Sequence, residues 1–179
     1  MIKKSVALVI VFSFLLYGCG YKTASLLPEG IKTIFVSNFE NKIDPAREIS
    51  DRRSNYSYWP GLETSITRAV IDGFIFDRHL EVQRENNSDL ILKGTLIDFR
   101  QTPLSYSGDD TVDEFRVEVF VDLELYDQHT GQNMWMENGF MGQSSYSITG
   151  PNEKTEAQAV KNAVDDLAQR IVERTVEAW

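Results

Sequence analysis

From Phe115 to Tyr126 the chain alternates without a break. Phe115, Val117, Val119, Val121, Leu123 and Leu125 interleave with Arg116, Glu118, Phe120, Asp122, Glu124 and Tyr126. Successive side chains on a strand point to opposite faces, so this period predicts a half-buried strand. Its odd-numbered face is core, and its even-numbered face is wet apart from Phe120 and Tyr126. Asp127 to Gln132, with Gly131, predicts a hairpin loop built on a type I turn and a bulge. Asn133 to Phe140, holding Met134, Trp135 and Met136, is the returning strand. Upstream, Asp89 to Arg100 reads as another strand, with Leu90, Leu92 and Leu96 on one side and Ile91, Ile97 and Phe99 on the other. Gly94 in its middle marks a bulge or a close backbone approach. Ile31 to Phe39, centred on Ile34, Phe35 and Val36, is a first and largely buried strand, and Leu80 to Gln83 is a short one.

Two stretches carry the helical period instead. Leu62, Ile66, Ala69, Val70 and Phe74 recur at spacings of three and four after Pro60, a residue suited to the first helical position, and Asp77 ends the run. The second helix runs from about Lys154 to Val176, with Ala157, Val160, Ala163, Val164, Leu167, Ile171 and Thr175 as its inward stripe and Thr155 or Asn152 as its cap. Each helix has a single apolar stripe, so both can cover one face of one sheet. The expected fold is therefore α+β: a two-layer domain, with a mostly antiparallel sheet of four or five strands and two helices packed on one face. Three polar stretches interrupt the pattern, at 41–59, 101–113 and 143–151, and all three read as loops.

The head of the chain has a different pattern. Lys3 and Lys4 precede an apolar run from Val6 to Leu16 that only Ser13 interrupts. That run fits the h-region of an export signal and is well short of the ~20 residues of a spanning helix. It closes on Leu16-Tyr17-Gly18-Cys19, with the only cysteine of the chain. Leu-x-Gly-Cys resembles the bacterial lipobox, although Tyr17 stands where a small or aliphatic residue is usual. The resemblance implies a signal peptide over 1–18, cleavage before Cys19, lipidation of Cys19, and a lipidated N-terminus and short tether over 19–30. The single domain then occupies 31–179. In lipoproteins of this class Asp after the cysteine retains the protein at the inner membrane, so Gly20 is compatible with transfer to the outer membrane. The other reading of Cys19 is a buried cysteine in an ordinary secreted protein.

Composition narrows the function. The full chain carries 18 basic and 27 acidic side chains, and both Lys3 and Lys4 leave with the signal. An acidic balance argues against a general nucleic-acid role, which needs a basic footprint. No nucleophile motif or phosphate loop is present, no cofactor is implied, and no enzyme activity is expected. His79 and His129 fall in turns, without the neighbours of a metal site. Asp109-Asp110 and Asp113-Glu114 lack the ligand spacing and glycine of a calcium loop and read as solvated. The most distinctive charges are Arg47, Arg52 and Arg53, set among Tyr56, Tyr58 and Trp59. Arginine suits bidentate phosphate contact; against that reading, Glu48 and Asp51 can neutralise the group locally.

Cys19-Gly20-Tyr21, the strand Ile31-Lys32-Thr33-Ile34, Pro60-Gly61-Leu62-Glu63 opening a helix, Leu92-Lys93-Gly94-Thr95-Leu96 and the Ala-rich final helix together resemble the lipopolysaccharide-assembly lipoprotein family LptE. The resemblance covers nearly all of the mature chain. It implies a lipid-anchored outer-membrane protein on the periplasmic face. Its partners would be a β-barrel of the LptD kind, which it plugs and helps to assemble, and lipopolysaccharide itself. Cys19 matches the lipid-bearing position. Arg52, Arg53 and Arg100 are the candidates for lipopolysaccharide contact, chosen by charge. The alternative is an outer-membrane lipoprotein that regulates a peptidoglycan synthase. Such a regulator has to reach across the periplasm, whereas the tether Tyr21–Gly30 spans at most ~35 Å.

Overall fold

A computed structural model describes residues 27–28, 30–43, 59–106, 108, 111–148 and 155–177. The expected export signal over 1–18, Cys19, most of the expected tether, and Arg47, Arg52 and Arg53 lie outside the described residues.

The elements run β1 (Thr33–Val36), β2 (Glu40–Asn41), α1 (Leu62–Asp77), β3 (Glu81–Val82), a 3-10 turn (Glu85–Asn87), β4 (Leu90–Tyr106), β5 (Val112–Asp127), β6 (Gln132–Ser147) and α2 (Glu156–Glu177). They build one six-stranded mixed sheet in the order β3-β1-β4-β5-β6, with β2 pairing β4 beside β1. β4, β5 and β6 are antiparallel, and β1, β2 and β3 pair in parallel. The expected α+β class holds, and the sheet has six strands instead of four or five because the two-residue β2 adds one that the hydropathy pattern does not signal.

Of the expected first strand, Ile31 to Phe39, only Thr33–Val36 is strand, and β2 lies just beyond it at Glu40–Asn41. After Val36 the chain leaves the ladder, and the Phe39 N–H donates to Thr67 Oγ1 of α1 at 2.9 Å. Thr67 in turn donates to the Glu63 carbonyl at 2.8 Å. The buried Phe39 ring turns onto Gly94 of β4, where a Cβ would sit 2.0 Å from ring carbon Cε1. The expectation of a close approach at Gly94 is met, by a side chain.

The long strands are longer than their hydropathy predicts. β4 continues through 101–106 and β5 begins at Val112, so most of the expected loop 101–113 is strand. β6 likewise runs on through Gln143 to Ser147. The reason is that polar residues satisfy one another inside. Gln101 and Tyr146 are both buried, the Gln101 amide donates to the Tyr146 hydroxyl, and the Tyr146 ring stacks on Phe115 with centroids 5.7 Å apart. Burial and the nearby Glu156 charge raise the Tyr146 hydroxyl above its ordinary pKa, partly offset by the Gln101 bond.

The odd face of β5 is core as expected: Val117, Val119, Val121, Leu123 and Leu125 are all buried. They belong to one continuous core with Leu62, Ile66, Val70 and Phe74 of α1 and Val160, Val164, Leu167 and Ile171 of α2. Thr155 caps α2, accepting from the Gln158 N–H at 3.2 Å. Ala157, expected on the inward stripe, is exposed. α2 lies directly on β6, where a Cβ on Gly142 would come within 2.4 Å of Leu167 Cβ. Asp166 accepts the Gln143 N–H at 2.9 Å, which covers part of an otherwise open sheet edge.

The end of the sheet where β1 begins is tied together by Asp89. Its Oδ2 accepts from the Lys32 and Thr33 N–H groups and the Thr33 hydroxyl, at 2.8–2.9 Å. Its Oδ1 meets His129 Nε2 of the β5–β6 hairpin at 2.8 Å. Burial pushes the Asp89 carboxyl up, but the bonds from Lys32, His129 and Thr33 outweigh it and hold the group well below the usual carboxylate range. The hairpin itself is as expected. Asp127 Oδ1 accepts the His129 and Thr130 N–H groups, and Gly131 takes a positive φ of 70°.

Candidate functional site

The face of β4–β5–β6 turned away from the helices is built by an alternation and a bulge. On β5 the even-numbered residues Glu114 to Tyr126 point outward, half-buried or exposed. On β4 the pairing jumps between Leu96 (opposite Val121) and Asp98 (opposite Phe120), so Ile97 is an extra residue. A bulge of one residue exchanges the two faces of a strand beyond it. Phe99, expected on the side opposite Leu90, Leu92 and Leu96, therefore joins them in the core, and Asp98 and Arg100 turn outward.

Cross-strand rows now define the face. Arg100 lies opposite Glu118, Thr102 opposite Arg116 and Lys93 opposite Glu124. On the other side of β5, Glu118 faces Gln143 and Phe120 faces Met141. The Arg100 guanidinium sits 4.7 Å from the Phe120 ring centroid and donates through Nε to Asp98 Oδ2 at 2.8 Å. Lys93 Nζ lies 5.5 Å from the Tyr126 centroid. Lys93, Arg100 and Arg116 share the face with Asp98, Glu114, Glu118, Asp122 and Glu124. With acids outnumbering bases it is not a broad anion-binding surface. It is a polar surface with embedded aromatic rings, able to form many hydrogen bonds over a wide, flat area.

Of the residues singled out by sequence, the structure places Arg100 at the centre of this face. Cys19, Arg52 and Arg53 lie outside the described residues. His79 and His129 sit in turns and pair with Asp77 and Asp89. Asp113 and Glu114 lie on β5 and not in a loop. Among the described residues no group of three His, Cys, Asp or Glu is arranged to hold a metal ion. Among them, too, no helix is long and apolar enough to cross a membrane. The hydropathy pattern assigns no side to Asp98 and Arg100, because the bulge at Ile97 is set by the pairing with β5. The signal for the correct side was Gln101, which a core position must pair and which finds Tyr146.

A family model described as LptE, lipopolysaccharide-assembly, matches residues 31–175. No curated protein matches the sequence. Among solved structures, a Xanthomonas campestris protein superposes with a TM-score of 0.50 at 16% identity, over 83% of this chain and 85% of its own. Rare lipoprotein B from Shewanella oneidensis gives a TM-score of 0.45 at 14% identity, over 78% and 91%. A PelC dodecamer from Paraburkholderia phytofirmans gives 0.47 at 14% identity, over 86% and 96%. These likenesses concern the fold.

Proposed function

The chain belongs to the lipopolysaccharide-assembly family LptE, a non-enzymatic family, and from that membership we propose that it is an outer-membrane lipoprotein acting by stoichiometric binding. Its partner is the β-barrel that exports lipopolysaccharide, of the LptD kind. It plugs the lumen of that barrel, assists its assembly and supports insertion of lipopolysaccharide into the outer membrane. Export by the signal over 1–18 and lipidation of Cys19 place it on the periplasmic face, and acyl chains on that cysteine hold it there.

The observation that supports this reading best is the open sheet face around Arg100. Barrel lumens are polar. A plug therefore needs a broad surface of hydrogen-bonding side chains on a rigid frame, in place of an apolar patch. β4–β5–β6 offers that surface, and the strands are long, roughly 55 Å for β4 at 3.3 Å per residue. Lipopolysaccharide phosphates are assigned to Arg52, Arg53 and Arg100. Because Arg100 is already paired with Asp98, a phosphate at that position shares or displaces the pair. The regulator of a peptidoglycan synthase is left as the second reading; no described feature favours it. Purification of the full lipoprotein in mild detergent separates the two, by whether a large barrel or a synthase comes with it.

A further inference from the structure

On the opposite side of the molecule the two helices leave a groove between them. Its volume is about 820 Å³, and Gly73, Ala168 and Val172 form its floor. Gly73 lets the two helices come close at the floor, since a Cβ there would come within 3.1 Å of Val172 Cγ2. Phe76 stands at one wall and is 88% exposed, and Ile75 beside it is 58% exposed. An aromatic ring so fully in water at the lip of an apolar groove is the kind of anchor that interfaces use.

The rim has one sign of charge. Asp77, Asp165 and Glu173 border the groove, and no Lys or Arg lines it among the described residues. Asp77 pairs with His79 and Asp165 with Lys161, both surface pairs that exchange easily. α1 has no basic residue in its last turn, so the negative end of its dipole adds to Asp77. Arg78 follows in a left-handed conformation with φ 67° and does not line the groove.

We propose that this groove docks a segment of a partner protein that presents a large apolar side chain between Lys or Arg residues. The apolar side chain enters the groove lined by Gly73, Ala168 and Val172 and packs against Phe76. The cations meet Asp77, Asp165 and Glu173, and a guanidinium can also stack on the Phe76 ring. Lipid phosphate is repelled by this rim. Two copies of a chain with net charge −9 repel one another. The inference is independent of what the open sheet face binds.

The test uses the full lipoprotein in detergent and a labelled helical peptide of Leu and Lys, about 14 residues or four turns long, followed by fluorescence anisotropy. A peptide with Glu in place of Lys is the charge control. Phe76→Ser is expected to weaken binding at least about tenfold, as loss of an aromatic anchor does. It should leave the fold intact, because the ring is exposed. Asp77→Lys with Glu173→Lys should weaken binding and flatten its salt dependence, while Glu40→Lys, far from the groove, should change it little. The Leu–Glu peptide should not bind. Binding that is unchanged in Phe76→Ser, or weakened as much by Glu40→Lys as by the rim reversals, would overturn the proposal, since attraction to an acidic chain in general would then explain it.

Discussion

The Phe39 ring lies against Gly94, so close that any side chain at that strand position would occupy the ring's own space, 2.0 Å from Cε1. The contact explains why the chain leaves the sheet between β1 and β2 and why a glycine interrupts a long strand. Gly94→Ala should therefore destabilise the fold by about 1–3 kcal/mol, the usual range for forcing an extra methyl into a packed core. Phe39→Leu in the same chain should recover part of that loss, because the two sites share one space. Urea midpoints of the three variants check both statements. A Gly94→Ala variant as stable as the wild type would show that the ring does not sit there.

The register of β5 is tested by neighbours of opposite fate. Val119 is fully buried and Glu118 faces outward. Val119→Asp should cost roughly 3–5 kcal/mol, because it leaves an unpaired charge in the core. Glu118→Ala should cost less than about 1 kcal/mol. Similar urea midpoints for the two would mean that the faces are exchanged.

Asp89 makes stability depend on acid. Its folded carboxyl is held below the ordinary value of 3.8, which the unfolded chain keeps. Below that value the unfolded state binds the proton and the folded state resists it. The contribution is thus fully present above about pH 4 and is lost progressively as the pH falls further. Asp89→Asn should cost about 1.5–3 kcal/mol at neutral pH, the scale of hydrogen bonds to a charged group. It should also narrow the stability gap between pH 7 and pH 3. An unchanged gap would assign the acid sensitivity to other carboxylates, Asp127 first, whose carboxyl is also held low against burial by the His129 and Thr130 bonds.

The proposed lipidation of Cys19 is tested separately from the fold. Cys19→Ala should yield a folded domain by circular dichroism that leaves the membrane fraction when its barrel partner is absent. Continued membrane association under that condition would contradict the anchor.

Much of this fold was legible in the sequence. The alternation of β5, the two helical stripes, the hairpin at Gly131 and the close approach at Gly94 all follow from local chemistry. What was not legible depends on pairing at a distance. Gln101 and Tyr146 look like loop residues until they are seen to satisfy each other within the core. Ile97 looks like an ordinary strand residue until its partners on β5 reveal the bulge. That one extra residue decides which way Arg100 points, so the centre of the candidate site could be named by charge but not placed. The groove at Phe76 was hidden for a related reason. A helical stripe predicts the face that is buried, and it is silent about an aromatic ring left beside it in water.

We propose that the open face of β4–β5–β6 meets the lumen of a lipopolysaccharide-exporting barrel. Photo-crosslinkers placed at Lys93, Thr102 and Arg116, all exposed on that face, test it in cells. All three should capture the same large outer-membrane barrel in equal stoichiometry. Capture of a peptidoglycan synthase at these positions, or of no protein at all by a folded and membrane-anchored chain, would contradict the account.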